Sequence, residues 1–363
     1  MKGKEQTRYL LSLLVSVSIA LAIGALMMWV TGHNPFEGYA ALFEGTGLTG
    51  NRKALGNTLY KSAQLAIAGL ATAVASSGGI FNVGGEGQMY LGALASCYLG
   101  ARLTGLSPWI ALPICLLAAI LAGALYAWIP AIMKVKLKIN EVITTIFMNT
   151  VAIKFCEFMA KGPLKTTEKR VPSGTAKIDP NFLFSVIPLS SDSRDMSNLN
   201  TSIFWTAAVV LLVWYLMSRT TTGYEMRLTG QNSRFAKFIG IRSGMLGILG
   251  MLISGAMCGA LGMFESFGVQ VRFVSGFSKE FYFDGMLVAM IMRYRPLGII
   301  LMSFFFGALK TGAEQMKSTT SIQPELVIII QAVIIFLMAA RDGMMANLRM
   351  RRAGKHPSIA KEA

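Results

Sequence analysis

Residues 79–93 read GIFNVGGEGQMYLGA and set Asn82, Glu86 and Gln88 among the glycines Gly84, Gly85 and Gly87. Apolar runs flank them, Leu59 to Ser77 before and Tyr90 to Leu99 after. Two carboxamides and a carboxylate at this spacing donate and accept hydrogen bonds, but no nucleophile stands beside a base. The chemistry on offer is holding and releasing polar groups, not breaking bonds. Glu86 falls near the start of the following helix, where the helix dipole favours a negative charge. At membrane depth, such side chains and such irregular backbone survive only against protein or a water-filled path. Glycines permit the close backbone approach and the turns that this needs. The stretch therefore reads as a broken helix lining a pathway, with Gly84, Gly85 and Gly87 at the gate.

A second stretch echoes the first. Phe283-Asp284-Gly285-Met286-Leu287 repeats the acid–glycine–apolar order of Glu86-Gly87-Gln88-Met89 and again opens a short helix. Paired interrupted segments in two halves of a chain are the mark of transporters built from internal repeats. Asp284 and Gly285 join the pathway and gate sets on that ground. Glu265, beside Phe264 and Phe267, is a further pathway candidate at a helix end. Glu141 follows the lysines 134, 136 and 138 and can pair with them, and Lys154 and Glu157 sit at i and i+3 on one helical face.

The elements that must position these residues follow from composition. The 363-residue chain is 53% hydrophobic and 14% charged, with mean hydropathy +0.54. Apolar runs near twenty residues recur, long enough to cross about 30 Å of hydrocarbon as helix. The fold class expected is all-α: a polytopic helical membrane protein of about ten transmembrane helices, with broken or re-entrant segments and an internal repeat. The expected helices are 9–30, 55–77, 88–103, 108–133, 141–160, 202–217, 243–264, 281–292, 297–311 and 325–340. The run from Tyr9 is too long for the apolar core of a cleaved signal peptide and reads as the first membrane helix.

Net charge of +16 fits basic residues gathered at cytoplasmic helix ends better than nucleic-acid binding. Placing both termini inside puts the lysines after helix 108–133, the 219–242 segment and the basic tail in the cytoplasm. Residues 1–341 then form one transmembrane domain. Within it, 161–200 is the long extracytoplasmic loop, and 342–363 is a basic cytoplasmic tail. Cys97, Cys115, Cys156 and Cys258 lack paired spacing and read as buried small hydrophobes. With only His33 and His356 besides, neither a metal site nor a catalytic residue is expected.

The 219–242 segment is glycine-punctuated. Gly230 and Asn232 suit a turn or helix start, and Phe235, Ala236, Phe238 and Ile239 fit a short amphipathic helix from Ser233 that ends at Gly240. A short protruding helix suits docking into a partner's groove. The string Gly45 to Gly50 is followed by Asn51-Arg52 instead of the Lys-Ser/Thr of a phosphate-binding loop, so any ATPase is a separate chain.

Gly79-Ile80-Phe81-Asn82-Val83-Gly84-Gly85-Glu86-Gly87-Gln88-Met89 resembles the signature of ABC-importer permeases of the branched-chain amino acid, ribose and nucleoside group. The likeness is nearest to the nucleoside type, as it is at Leu59 to Ala63. Asn140-Glu141-Val142-Ile143-Thr144-Thr145 and Asn149 are similar as well, and they bring Asn140, Glu141 and Asn149 into the pathway set. The likeness spans about 55–341. It departs after Asp284-Gly285, where Met292-Arg293 stands in place of a helix-closing glycine, and at Leu228 and Phe235, which replace smaller residues.

The resemblance implies that the 219–242 loop meets the ATPase through Gly223, Arg227, Gly230, Asn232, Ala236 and Gly240. It implies as partners an ABC ATPase subunit, a second permease (a heterodimer, with a homodimer as alternative) and an extracytoplasmic substrate-binding protein. ATP and Mg belong to the ATPase, and no cofactor belongs to this chain. The expected cargo is a nucleoside, with simple sugars such as ribose next. An ion-coupled secondary transporter is the reading from another class.

Overall fold

The computed structural model describes residues 2–168, 174–189, 196–278, 280–320, 322–337 and 340, with side chains from Leu14 onward. The basic tail and parts of the 161–200 connection lie outside the described residues. Twelve helices run in order among the described residues: α1 Lys2–Val30, α2 Pro35–Glu44, α3 Arg52–Ser77, α4 Gly85–Gly100, α5 Pro108–Leu137, α6 Glu141–Lys161, α7 Ser202–Arg219, α8 Thr221–Gln231, α9 Ser233–Phe238, α10 Ser243–Glu265, α11 Phe281–Ile291 and α12 Pro296–Thr320. A further apolar helix, α13, covers Glu325–Leu337. Among the described residues the fold is helical, apart from the isolated antiparallel bridges Gly174–Val274 and Val186–Asn200.

Five helices among the described residues are long and apolar enough to cross a membrane: α5, α6, α7, α12 and Ser243–Gln270, which is α10 continued by a π turn. Leu14–Val30, Phe281–Ile291 and Glu325–Leu337 are shorter apolar helices. The expected count of about ten spans is thus supported as a multi-helix apolar architecture, not as a number. Two segments differ from expectation. The link after α1 carries the helix α2, because Asn34 accepts a hydrogen bond from the Phe36 N–H at 3.0 Å and Pro35 opens the first turn. The stretch before Asn232 is the helix α8, so Gly230 lies inside a helix and not in a turn.

The chain divides into two compact units. One comprises residues 1–49 and 309–363, the other 50–308. In the first, Gly24 and Gly312 permit close packing: a Cβ at Gly24 would lie 2.5 Å from the Tyr39 hydroxyl, and one at Gly312 would lie 2.4 Å from the Leu42 carbonyl.

The second unit holds every candidate site residue. Its centre is α10, packed against α5, α4 and α3. The closest approaches are made by glycines. A Cβ on Gly259 would meet the Ala119 carbonyl at 2.0 Å, one on Gly123 the Gly255 carbonyl at 2.1 Å, and one on Gly262 the Met89 carbonyl at 2.1 Å. Lipid chains are as apolar as leucine, so helices in a bilayer gain little from burying hydrophobes and gain from close backbone approach. Large apolar residues are found both inside, as at Phe264 and Met251, and outside, with Trp109, Leu125, Phe147, Phe158 and Leu211 exposed. All four cysteines are buried and free.

The 161–200 connection is tied down where it is described. Ile178 and Phe182 are buried, and Phe184 stacks near Phe264 and Phe267 with centroids 6.0 and 6.3 Å apart. Thr175 N–H donates to the Phe273 carbonyl and Ile178 N–H to the Val271 carbonyl, at 3.0 and 3.1 Å. Arg272, itself buried, reaches the half-exposed Glu168 at 2.9 Å, and Lys177 lies 3.5 Å from the same carboxylate. The Arg272 hydrogen bond, with both cations adding to it, holds the Glu168 carboxyl below the usual carboxylate range.

Two outcomes are expected. Gly259→Ala forces α10 off α5, an overpacking that costs about 1–3 kcal/mol, and thermal unfolding of the purified chain in detergent should fall by several degrees. The Glu168 contribution is full above the ordinary carboxylate range and is lost as pH falls through its lowered folded value. The protection factors of the amides at 174–178, corrected for the intrinsic pH dependence of exchange, should therefore be high at neutral pH and fall on acidification, with that fall abolished in Glu168→Gln.

Candidate functional site

The helix break lies where α3 meets α4. Gly78 closes α3 in right-handed geometry, and Gly79 turns the chain at φ +85°, a left-handed angle that suits glycine. Residues 80–83 are irregular, and α4 restarts at Gly85 with no side-chain cap on Gly84. The backbone here must find partners outside any helix ladder.

It finds them in a knot of buried polar side chains. Asn82, at 0% exposure, donates to Gln88 Oε1 and to Ser254 Oγ, both at 2.9 Å. Its Oδ1 accepts from the Gly84 N–H at 2.9 Å and from Gln88 Nε2 at 3.2 Å. Asn149, from α6, donates to the Val83 carbonyl at 2.7 Å and accepts from the Gly87 N–H at 2.8 Å. The Tyr282 hydroxyl donates to the Asn82 carbonyl and lies 3.2 Å from Thr72 Oγ1. Glu86, only 4% exposed, accepts from the Ser278 hydroxyl and, at 3.3 Å, from the Tyr282 N–H that opens α11. Five elements thus converge: the break itself, α3, α6, α10 and the start of α11.

The glycines of this region are required by contact. A Cβ on Gly85 would fall 2.0 Å from the Tyr282 ring, and one on Gly87 would fall 2.9 Å from Ala152 Cβ and 3.0 Å from Asn149 Cα. At Gly285 it would lie 2.4 Å from Ala68 Cβ, which seats α11 against α3. Gly84 is looser, with its nearest neighbours at 3.2 Å. The second break is also present. A π turn over Ser266–Gln270 leads into irregular chain, and α11 begins after Glu280. At its far end Arg293 and Tyr294 take φ of 52° and 59°, so two non-glycine residues make the left-handed exit where a glycine is expected.

Not every expected pathway residue joins the knot. Asn82, Glu86, Gln88 and Asn149 do. Asp284 lies half-buried in the first turn of α11, two residues from Tyr282. Asn140 is exposed and caps α6, accepting from the Val142 N–H at 2.9 Å, and Glu141 pairs with Lys134 at 2.6 Å. Glu265 is buried away from the break, accepting from the Tyr60 hydroxyl and, at 3.0 Å, from Gln270 Nε2. Lys154 and Glu157 form their expected pair at 3.2 Å. Ser254, Ser278, Thr72 and Tyr282 belong to the knot without having been expected there. Lone hydroxyls in apolar helices carry no spacing signal, and Tyr282 reads in the sequence as one aromatic among several.

In the 219–242 segment, Thr220 starts α8 by accepting from the Gly223 N–H at 3.1 Å, and Asn232 starts α9 by accepting from the Phe235 N–H at 3.0 Å. A Cβ on Gly223 would meet the Leu216 carbonyl at 2.1 Å, and one on Gly230 the Ser76 carbonyl at 2.7 Å. So α8 lies against the α3 end that enters the break. Arg227 lies midway along α8, half-buried. Ala236 is buried, Phe238 is 89% exposed, and Gly240 turns the chain at φ +88°.

Residues 54–339 match the family model described as branched-chain amino acid transport system / permease component. A guanosine ABC transporter permease of Bacillus subtilis is 31% identical, covering 93% of this chain and 94% of its own. A nucleoside ABC transporter permease of Lactococcus lactis subsp. cremoris is 29% identical, with 93% and 92% covered. A glucose ABC transporter permease of Haloferax volcanii is 28% identical, with 90% and 86% covered. No solved structure matches the chain. With a family match across the break, the polar knot and the α8–α9 segment alike, the chain belongs to the branched-chain amino acid transport system permease family of ABC transporter membrane components.

Proposed function

We propose that this chain is the membrane-spanning permease subunit of an ABC importer that moves nucleosides into the cell by alternating access. It is a transport protein and not an enzyme. The observation that carries the reading is the buried knot around Asn82 and Glu86, which ties a helix break to four other elements through exchangeable hydrogen bonds. Such a knot changes partners cheaply compared with unfolding a helix, and this suits a gate that must close and reopen. The guanosine and nucleoside permeases among its relatives favour nucleosides as cargo. The glucose relative keeps simple sugars as the second reading.

The energy source in this proposal is ATP with Mg on a separate ATPase subunit, which docks on α8 and α9. Phe238, exposed at the tip, enters its groove, while Gly230 and Gly223 hold α8 close to α3 and α7 so that movement reaches the break. Both termini and α9 face the cytoplasm, and the 161–200 connection meets a substrate-binding protein outside. A second permease chain completes the pathway, with a heterodimer as the expected pairing.

Two experiments test this. In vesicles holding the assembled complex, ATP-dependent uptake of radiolabelled nucleosides should fall at least tenfold for Glu86→Gln and be lost for Gly87→Leu, with the subunits still co-purifying. Wild-type-like uptake in both would remove the gate role. Phe238→Asp leaves buried packing untouched and should reduce ATPase co-purification several-fold; an undiminished pull-down would place the docking surface elsewhere.

A further inference from the structure

In the proposed orientation residues 162–178 face outward, yet they carry Lys165, Lys169, Arg170 and Lys177 against one acid, Glu168. Lysine and arginine ordinarily collect in cytoplasmic loops, so a basic outer loop needs its own explanation. Where this loop is described it pairs with 271–274, and a buried cation stands in the contact. Arg272, with a side chain only 6% exposed, donates through Nη2 to Glu168 Oε2 at 2.9 Å. Its buried Nη1 has no hydrogen-bond partner among the described residues.

A guanidinium fork can hold one carboxylate with two parallel bonds, and Glu168 leaves one arm of it unused. The Glu168 side chain is 46% exposed and shares its charge with Lys177, whose Nζ lies 3.5 Å from Oε1. Two cations thus face one acid, and the trio carries a positive charge in excess. The same segment leads toward the break. Phe273 and Phe277 pack on Tyr90 with centroids 6.0 and 4.7 Å apart, and Tyr90 lies one turn beyond Glu86 on α4. Ser278, the residue after Phe277, donates to Glu86.

We propose that Arg272 is the receptor for a carboxylate side chain of the substrate-binding protein, and that Glu168 is its resident stand-in until that protein docks. This rests on the importer reading, which puts 161–200 outside, and names the contact through which this chain feels its partner. A buried guanidinium stripped of its acid is costly, so exchanging one carboxylate for another is how this site admits a partner. The incoming carboxylate takes Nη1 and Nη2 together, and Glu168 turns to Lys177, with which it is already paired. The other cations of 162–178 draw an acidic surface toward the site and speed its encounter.

The test titrates the complete complex, in phosphatidylcholine vesicles, with its own binding protein loaded with nucleoside. The readout is the binding-protein concentration that gives half-maximal stimulation of ATP hydrolysis. Glu168→Gln removes the stand-in and should lower that concentration about fivefold, a gain that damage to the fold does not produce. Arg272→Gln should raise it about tenfold and blunt its rise with salt. If Arg272→Gln does not assemble, Glu168→Gln decides alone. Unchanged or weaker docking in Glu168→Gln, or a wild-type value indifferent to salt, would make the pair a structural clasp and overturn the proposal. Stimulation by added phosphatidylglycerol without the binding protein would assign Arg272 to a lipid and overturn it as well. A wild-type complex whose ATP hydrolysis ignores the binding protein altogether would instead refute the importer reading beneath it.

Discussion

An interrupted helix among apolar helices must satisfy its backbone without water. In the hydrocarbon region each unsatisfied amide or carbonyl costs several kcal/mol, and residues 78–84 supply a run of them. Asn82 and Asn149 answer this as backbone surrogates, each accepting from one main-chain N–H and one of them donating to a main-chain carbonyl. The Tyr282 hydroxyl takes the Asn82 carbonyl. The placement of α6, α10 and α11 follows from this requirement, because each brings one of these groups to the break.

Packing at the break obeys the same constraint. Side chains that reach backbone need the backbones close, and closeness is set by glycine. Gly85 against the Tyr282 ring, Gly87 against Asn149 and Gly285 against Ala68 leave no room for a Cβ. The glycines at the break therefore act less by bending the chain than by admitting the neighbours that complete its hydrogen bonds. Gly79, at φ +85°, is the one whose backbone angle itself demands the residue.

How much of this was legible in the sequence follows from which signals are local. The break was legible because three polar residues and five glycines fall within fifteen positions between two apolar runs. Helices of high apolarity, such as α5 and α10, were legible almost to their ends. The donors to Glu86 were not, since Ser278 and Tyr282 are about two hundred residues away and only the fold brings them near. Helix α8 is not legible because Gly230 reads as a turn residue, whereas Gly223 and Gly230 each let α8 touch a neighbouring helix. Asn140 and Glu141 match a motif, yet they do local work, one capping α6 and the other pairing with Lys134.

The break is also reached from the side opposite α8. The 174–178 stretch pairs with 271–274 through main-chain hydrogen bonds, and four residues beyond Val274 the Ser278 hydroxyl holds Glu86. Val271 and Glu280, which bound this span, both sit at left-handed φ, 54° and 61°. That conformation is uncommon for any residue with a Cβ and is a genuine outlier for a β-branched one. Strain thus sits at both ends of the span, which is fastened near its start by Arg272 to Glu168 and farther along by Phe273 and Phe277 against Tyr90. The Glu86 carboxylate therefore lies between two levers of different kind, a rigid helix packed by glycine at α8 and a strained strap at 271–280. Glu86 is bonded directly to the strap through Ser278, and it follows closely in the chain on the Gly79 turn, beside which α8 packs.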